Sequence, residues 1–448
     1  MQKYFFDSHF MKKVLWIAVP LMLQQLVSVS VNLVDNLMVG FLGDNALSAV
    51  AAVNRYYFIV NAAINGLTAA ACVFIAQYYG AKDTHKMKQT FRAMLYTTCI
   101  IVFIFSLIAF FFPREIVAFF VKESELIDIG ERYAGCAVFA FLPGAISFAI
   151  YAAMRAVGDM RTPLYCSVIS VFVNATLNYI FIMGKFIFPP MGVFGAALAT
   201  VIARLVELAL ACFSLHKGNY AFKTPWIGSL ARDILVRIVR KALPLMSNEI
   251  LWSFGLASLF RFYGTRGSAV LSGFAMAGTI SDLFFTLFAG MAAATTVLIS
   301  TPLGANELEK AQQNAYRMIG FSAMLAICFG IVMFLSRYSI PYLYASVSVT
   351  AQSVAQNFLA IQSFMFWIYM ATVQCYFILR AGGDMKHTLM MDSGFMWAVN
   401  IPLVALVTYL TDIPYWAIYL LSQATDLWKL LFAHHLVKKE HWLVNLTA

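Results

Sequence analysis

The chain reads as long, almost unbroken apolar runs separated by short polar stretches. Twelve runs lie near residues 12–40, 50–79, 92–112, 132–154, 163–184, 193–215, 238–263, 268–301, 317–336, 355–379, 387–410 and 414–436. Each is about as long as the ~20 apolar residues that a helix needs to cross a bilayer, or longer. None shows the alternating pattern of a membrane β-strand. The pattern predicts an all-α integral membrane protein with twelve transmembrane helices.

The runs repeat. Met154-Arg155-Ala156-Val157-Gly158-Asp159-Met160-Arg161 returns as Leu379-Arg380-Ala381-Gly382-Gly383-Asp384-Met385-Lys386, shifted by 225. Val19-Pro20-Leu21-Met22 returns as Leu243-Pro244-Leu245-Met246, shifted by 224. Leu47-Ser48 and Gly80-Ala81 return at the same offset as Leu271-Ser272 and Gly304-Ala305. Matches in order at one offset predict two six-helix bundles. Six is an even number, so both halves insert the same way up and the repeat is parallel. The expected organisation is an N-terminal lobe over 1–215, a basic linker over 216–237 and a C-terminal lobe over 238–448.

Charge sets the orientation. With both termini and every even-numbered loop in the cytoplasm, that side collects 22 of the 31 Lys and Arg. The opposite side has six, and three (Arg55, Arg204, Arg261) fall within runs. Lys429 is counted here with the cytoplasmic C-terminal group. This asymmetry follows the positive-inside rule. It also explains the net charge of +10 without a nucleic-acid partner. Composition then acts by exclusion. The chain of 448 residues is 62% hydrophobic and 12% charged, against about 45–50% and about 25% for soluble domains. Its seven cysteines lie in apolar runs with no paired spacing, which excludes a disulfide framework or a zinc cluster. There is no GxxxxGK[ST] loop, so no ATP-driven pump is encoded, and no HExxH or channel-filter motif occurs. No enzyme and no cofactor are expected. The N-terminus lacks a signal-peptide pattern, so the first helix is expected to be retained.

The chemistry lies in polar residues inside the runs. Gln24, Ser28, Asn32 and Asp35 recur every three or four residues and share one face of the first helix. Asp35 stands well inside the run, where a carboxylate costs about 2.5–3.5 kcal/mol. It must face the protein interior, take a proton or bind a cation. Pro20 in the same helix, and Pro244 in its repeat, free a backbone carbonyl and permit a hinge. Asn174 and Asn178 lie one turn apart in the fifth run. Thr200 follows the small-residue stretch Gly195–Ala199 of the sixth. With Asp35 these would form an oxygen-rich site for Na⁺, whereas H⁺ would need only Asp35. Asn61 and Asn65 share a face of the second run. Glu249 and Asp282 are acids within the seventh and eighth, and Gln374 is a polar residue of the tenth. Arg204 and Glu207, three apart, are expected to form a structural ion pair. In the Arg-Ala-x-Gly-Asp loops, Gly supplies a turn and Asp a cap for the following helix.

The motifs VPLMLQQLVSVSVNLVDNLMVGFLG, RAVGDMRTP with LRAGGDMKHT, FGAALATVIARLVE and LPLMSNEILW together resemble those of the bacterial MATE (multidrug and toxic compound extrusion) family, over essentially the whole chain. The resemblance implies a V-shaped pair of six-helix bundles. It also implies antiport, with H⁺ or Na⁺ entering as drug-like organic cations leave. By the same resemblance Asp35 matches the family's first-helix acid. Asn174, Asn178 and Thr200 match its amino-terminal cation site, and Glu249 matches the seventh-helix acid of the Na⁺-coupled branch. Two departures leave the coupling ion open: some relatives carry an acid where Asn178 stands, and the tenth run here holds none. Gln24, Ser28, Asn32, Asn61, Asn65, Asp282 and Gln374 are the expected substrate contacts. The protein is expected in the bacterial inner membrane, as a monomer. A flippase for a lipid-linked or amphipathic metabolite is the alternative.

Overall fold

The computed structural model describes residues 4–40, 42–121, 123–224, 228, 231–343 and 347–447. The side chains of residues 28–37, 40, 44, 268, 287 and 341 lie outside the description. Among the described residues the chain is helical, with no strand. Ten helices are long and apolar enough to cross a membrane, and two further long helices bring the number to twelve. They are α1 (Ser8–Gly40), α2 (Asp44–Gly80), α3 (Thr84–Phe111), α4 (Ser124–Ala156), α5 (Arg161–Met183) and α6 (Gly192–Lys217). The second half holds α7 (Arg232–Gly264), α8 (Ala269–Gly304), α9 (Leu308–Ser339), α10 (Val349–Ala381), α11 (Met385–Leu410) and α12 (Tyr415–Lys438). The two less apolar helices are α7 and α12. Both carry charge along their length: α7 has five basic residues and Glu249, and α12 has Asp426 and Lys429. The protein is thus a multi-pass membrane protein.

The backbone carries the repeat. Three pairs of residues with positive φ stand at the repeat offset: Gly43 with Gly267, Lys82 with Asn306, and Gly158 with Gly383. At the last pair φ is +94° and +84°, which only glycine adopts without a Cβ clash. The following Asp caps the next helix as expected. Asp159 accepts from the Arg161 and Thr162 amides at 3.1 Å, and Asp384 accepts from the His387 amide at 3.3 Å.

Contacts divide the chain into two compact units. One contains Pro20–Ile75 and Asp83–Ala242; the other contains Met1–Val19, Ala76–Lys82 and Leu243–Ala448. The chain passes between units at Pro20 in α1 and beside Pro244 in α7. In the first unit small residues let helices approach closely. A Cβ on Gly195 of α6 would stand 2.9 Å from the Phe181 backbone of α5. Val50, Val53, Ala134, Ala137 and Ala197 are buried in one core cluster there. In the second unit, Leu303, Ala315, Ile378, Leu379, Val437 and Trp442 form another. Large apolar side chains such as Phe103, Phe172, Ile331 and Leu406 are exposed, as a lipid-facing surface requires.

The same unit contains a crossing of two repeat-related segments. Gly80 at the end of α2 packs on the Thr301 carbonyl, and Gly304 at the end of α8 packs on the Gln77 carbonyl. A Cβ at either glycine would overlap the opposing backbone. Residues 77 and 80 are the repeat partners of 301 and 304, so the contact is reciprocal.

Candidate cation site and buried charge network

In the first unit, α5 and α6 pack along their length and present polar side chains to each other. Asn178 Nδ2 donates to Asn174 Oδ1 at 3.3 Å, and Asn174 Nδ2 donates to Thr200 Oγ1 at 3.5 Å. Thr200 in turn donates to the Ala196 carbonyl at 3.0 Å. Both asparagines are buried. Two turns earlier on α5, Ser167 accepts from Gln24 Nε2 at 2.7 Å, which ties α1 to α5. The three residues expected to share a cation site therefore lie together, as a neutral cluster of amide and hydroxyl oxygens. Asp35, Ser28 and Asn32 belong to α1, but their side chains lie outside the described residues. Asn61 donates to the Tyr57 carbonyl of its own helix at 3.1 Å, and Asn65 is exposed. Arg204 and Glu207 form the expected ion pair at 2.7 Å.

The second unit holds a charge network that the sequence alone does not reveal. Lys429 of α12 is buried and donates to Asp392 Oδ1 of α11 at 2.7 Å. Asn248 of α7 donates to the other oxygen, Oδ2, at 3.0 Å. Ser393 returns the link: its amide and hydroxyl donate to Asn248 Oδ1 at 3.2 and 2.7 Å. Asp392 and Ser393 sit in a π-helical turn, Met390–Gly394, followed by a second, Met396–Asn400. Such widened turns cluster at functional sites. The second positions Asn400 to donate to Thr425 of α12 at 2.8 Å. Asp426 is close enough to act electrostatically on Lys429. Lys429 is thus a helical residue with a carboxylate partner. Charges within the eleventh and twelfth runs were the available signal.

Glu249 is half-buried one residue after Asn248. Arg380 and Asp392 act on its charge, but among the described residues it makes no ion pair within 4.0 Å. Asp282 is exposed on α8. Gln374, expected on substrate, is fully buried with its amide engaged. It donates to Thr295 of α8 and accepts from Ser322 of α9, each at 2.8 Å. It braces three helices. Among the described residues there is no group of three His, Cys, Asp or Glu side chains placed to hold a metal.

Comparison with known proteins decides the family. The MatE family model matches residues 20–180 and again 244–406, starting at Pro20 and at its repeat partner Pro244. The chain belongs to the MatE family. It is 23% identical over 403 residues to the probable multidrug resistance protein YoeA of Bacillus subtilis (strain 168), covering 88% of this chain and 86% of YoeA. It is 24% identical over 411 residues to the probable multidrug resistance protein NorM of Bradyrhizobium diazoefficiens, covering 89% and 86%. Among solved structures, an outward-facing multidrug resistance MATE family transporter of the MOP superfamily matches with a TM-score of 0.86. It is 20% identical and covers 98% of both chains. The Vibrio cholerae MATE transporter VcmN matches with a TM-score of 0.87 at 18% identity, covering 99% and 100%. MatE proteins are transporters, not enzymes, and the twelve-helix fold with its parallel repeat is the fold of these structures.

Proposed function

We propose that the protein is a secondary antiporter that exports organic cations across the bacterial inner membrane in exchange for H⁺ or Na⁺. The observation that carries this reading is the buried polar cluster in each half of a twelve-helix MatE chain. Apolar bundles retain such costly groups where ions or substrates are handled. In the first half, Asp35 takes up the coupling ion, and Asn174, Asn178 and Thr200 supply neutral oxygens. In the second half, Glu249 is an acid inside a helix that makes no ion pair among the described residues, and we assign it the exchange of charge. Small organic cations are the substrate class, in keeping with the multidrug-resistance names of YoeA and NorM. Gln24, Ser28, Asn32, Asn61, Asn65 and Asp282 are the candidate contacts.

The lobes proposed are 1–215 and 238–448, joined by 216–237, with Pro20 and Pro244 as hinges. The division of contacts at those two prolines supports the hinges. Both termini are placed in the cytoplasm by the distribution of Lys and Arg, and the chain acts as a monomer without ATP.

The test uses proteoliposomes with either a Na⁺ or a pH gradient imposed and the other clamped, following ethidium transport. Wild type moves ethidium under one of the two, and Asp35→Asn abolishes it. Full transport by Asp35→Asn overturns the mechanism. Transport under neither gradient overturns the antiport.

A further inference from the structure

Outside both polar clusters, the second unit holds a partly open cavity of about 460 Å³ where the ends of α1, α2, α8 and α9 meet. That volume lies within the range of small-molecule sites. Its wall carries Lys13 from α1, Lys82 from the end of α2, and Lys310 with Glu307 from the start of α9. Glu307 is taken by Lys310 at 2.7 Å. Lys13 and Lys82 make no ion pair among the described residues, and both are exposed, so the cavity presents two cations to an incoming ligand. Thr301 lies on the same wall, and its buried hydroxyl has no hydrogen-bond partner among the described residues.

Lys82 stands in the left-handed region, at φ +58°, and its repeat partner Asn306 does so at +62°. Asparagine tolerates that conformation through its short polar side chain, whereas lysine pays for its Cβ. A lysine here is therefore not explained by the turn. Helix C-termini favour a nearby cation, which accounts for one lysine at the end of α2 but not for three converging from separate parts of the chain.

We infer that this cavity binds a phosphate-bearing anion, which in the membrane is the headgroup of an anionic phospholipid. The lysines lie at or beside helix ends that the charge distribution assigns to the cytoplasmic face, where anionic lipids gather. Basic pockets between transmembrane helices on that side recognise such headgroups. A phosphate between Lys13, Lys82 and Lys310 ties the first half of the sequence to the second, beside the crossing of Gly80 and Gly304. The bound lipid holds that crossing closed.

The test is thermal unfolding of the full-length protein in detergent. Phosphatidylglycerol, phosphatidylcholine and inorganic phosphate are added separately. Phosphatidylglycerol is expected to raise the midpoint by several degrees and phosphatidylcholine to leave it unchanged. The double variant Lys13→Gln/Lys82→Gln loses most of that rise. Lys12→Gln/Lys88→Gln, which removes two charges outside the cavity, keeps it. The charge-preserving Lys13→Arg/Lys82→Arg also keeps it, which separates lost charge from misfolding. An equal rise with inorganic phosphate supports the site and names a free anion as its ligand. No rise with either anion, or an undiminished rise in Lys13→Gln/Lys82→Gln, overturns the inference. The readout needs no transport, so it stands apart from the coupling ion.

Discussion

Lys429 and Asp392 come from helices 37 residues apart in sequence and meet at 2.7 Å. Each offsets the cost of the other's burial. Removing one partner of such a pair costs about 3–5 kcal/mol, whereas replacing both by apolar groups of similar size is often close to neutral. Lys429→Met or Asp392→Asn alone is therefore expected to lower stability by about 3 kcal/mol, and the double variant to recover most of it. Thermal unfolding of the three variants checks this. A loss in the double variant equal to the sum of the two singles refutes the pairing. Nothing in the sequence joins residues 392 and 429, because helical spacing relates neighbours within a helix and not faces on different helices. The π turn at Met390–Gly394 also shifts the facing of α11 after Asp392, so a 3.6-residue wheel misplaces the residues beyond the turn. Asn174, Asn178 and Thr200 were legible because α5 and α6 are regular there and each residue keeps its expected face.

Outside the helices, in the segment between α6 and α7, the Tyr220 hydroxyl donates to Asp159 at 2.5 Å. Burial, and then the Asp159 carboxylate it bonds, push the phenol up to about 12. A raised phenol stabilises the fold below its unfolded value near 10, and that contribution is lost as pH rises through about 12. Tyr220→Phe is expected to cost about 1 kcal/mol at neutral pH and to flatten the alkaline limb of stability. Urea unfolding at a series of pH values measures both.

At the scale of elements, the reciprocal crossing makes two glycines equivalent. The opposing group at each is a backbone carbonyl, which cannot rotate aside, so a methyl there must push the helix ends apart. Gly80→Ala and Gly304→Ala are each expected to cost about 2 kcal/mol, as overpacking does, and to do so by similar amounts. Unfolding midpoints check this, and an effect at one glycine alone contradicts the reciprocity. Gly158→Ala acts differently, through backbone strain of about 1 kcal/mol, and Gly383→Ala adds to that strain a contact of the new Cβ with the Leu446 side chain. The repeat itself was legible from short matches, because turns and caps depend on particular residue types: Gly for positive φ, Asp for the next amide. Helix packing tolerates many apolar sequences, so between those matches the halves have drifted. Helix number was legible from the apolar runs. The two helices that fall short of a membrane helix's hydropathy, α7 and α12, are those that carry charge along their length, Glu249 in one and Asp426 with Lys429 in the other.

At the scale of the molecule, the segment after α12 fastens regions far apart in sequence. Trp442 is fully buried and its indole donates to the Val437 carbonyl at 2.9 Å. Its backbone packs on Gly382 in the repeated loop. Gln77 of α2 accepts from the Leu446 amide at 2.7 Å. Trp442→Ala is expected to cost about 3–5 kcal/mol, the range for a large buried aromatic. Measurement of the unfolding midpoint decides it, and a loss within the scatter of surface variants shows that the segment is loosely held. The sequence marked this stretch only as the polar end of the chain, since one tryptophan among charged residues carries no periodicity to read.

The crossing of residues 77 and 80 with 301 and 304 has a consequence for ancestry. Position i meets position j of the other repeat, and position j meets position i, which is the signature of a two-fold self-complementary surface. Two identical copies of a six-helix polypeptide would meet the same requirement with no further change. The contact itself is therefore one that two copies of a half-length chain could make. Away from the two glycines the repeat-related positions differ, with Gln77 and Lys82 on one side where Thr301 and Asn306 stand on the other.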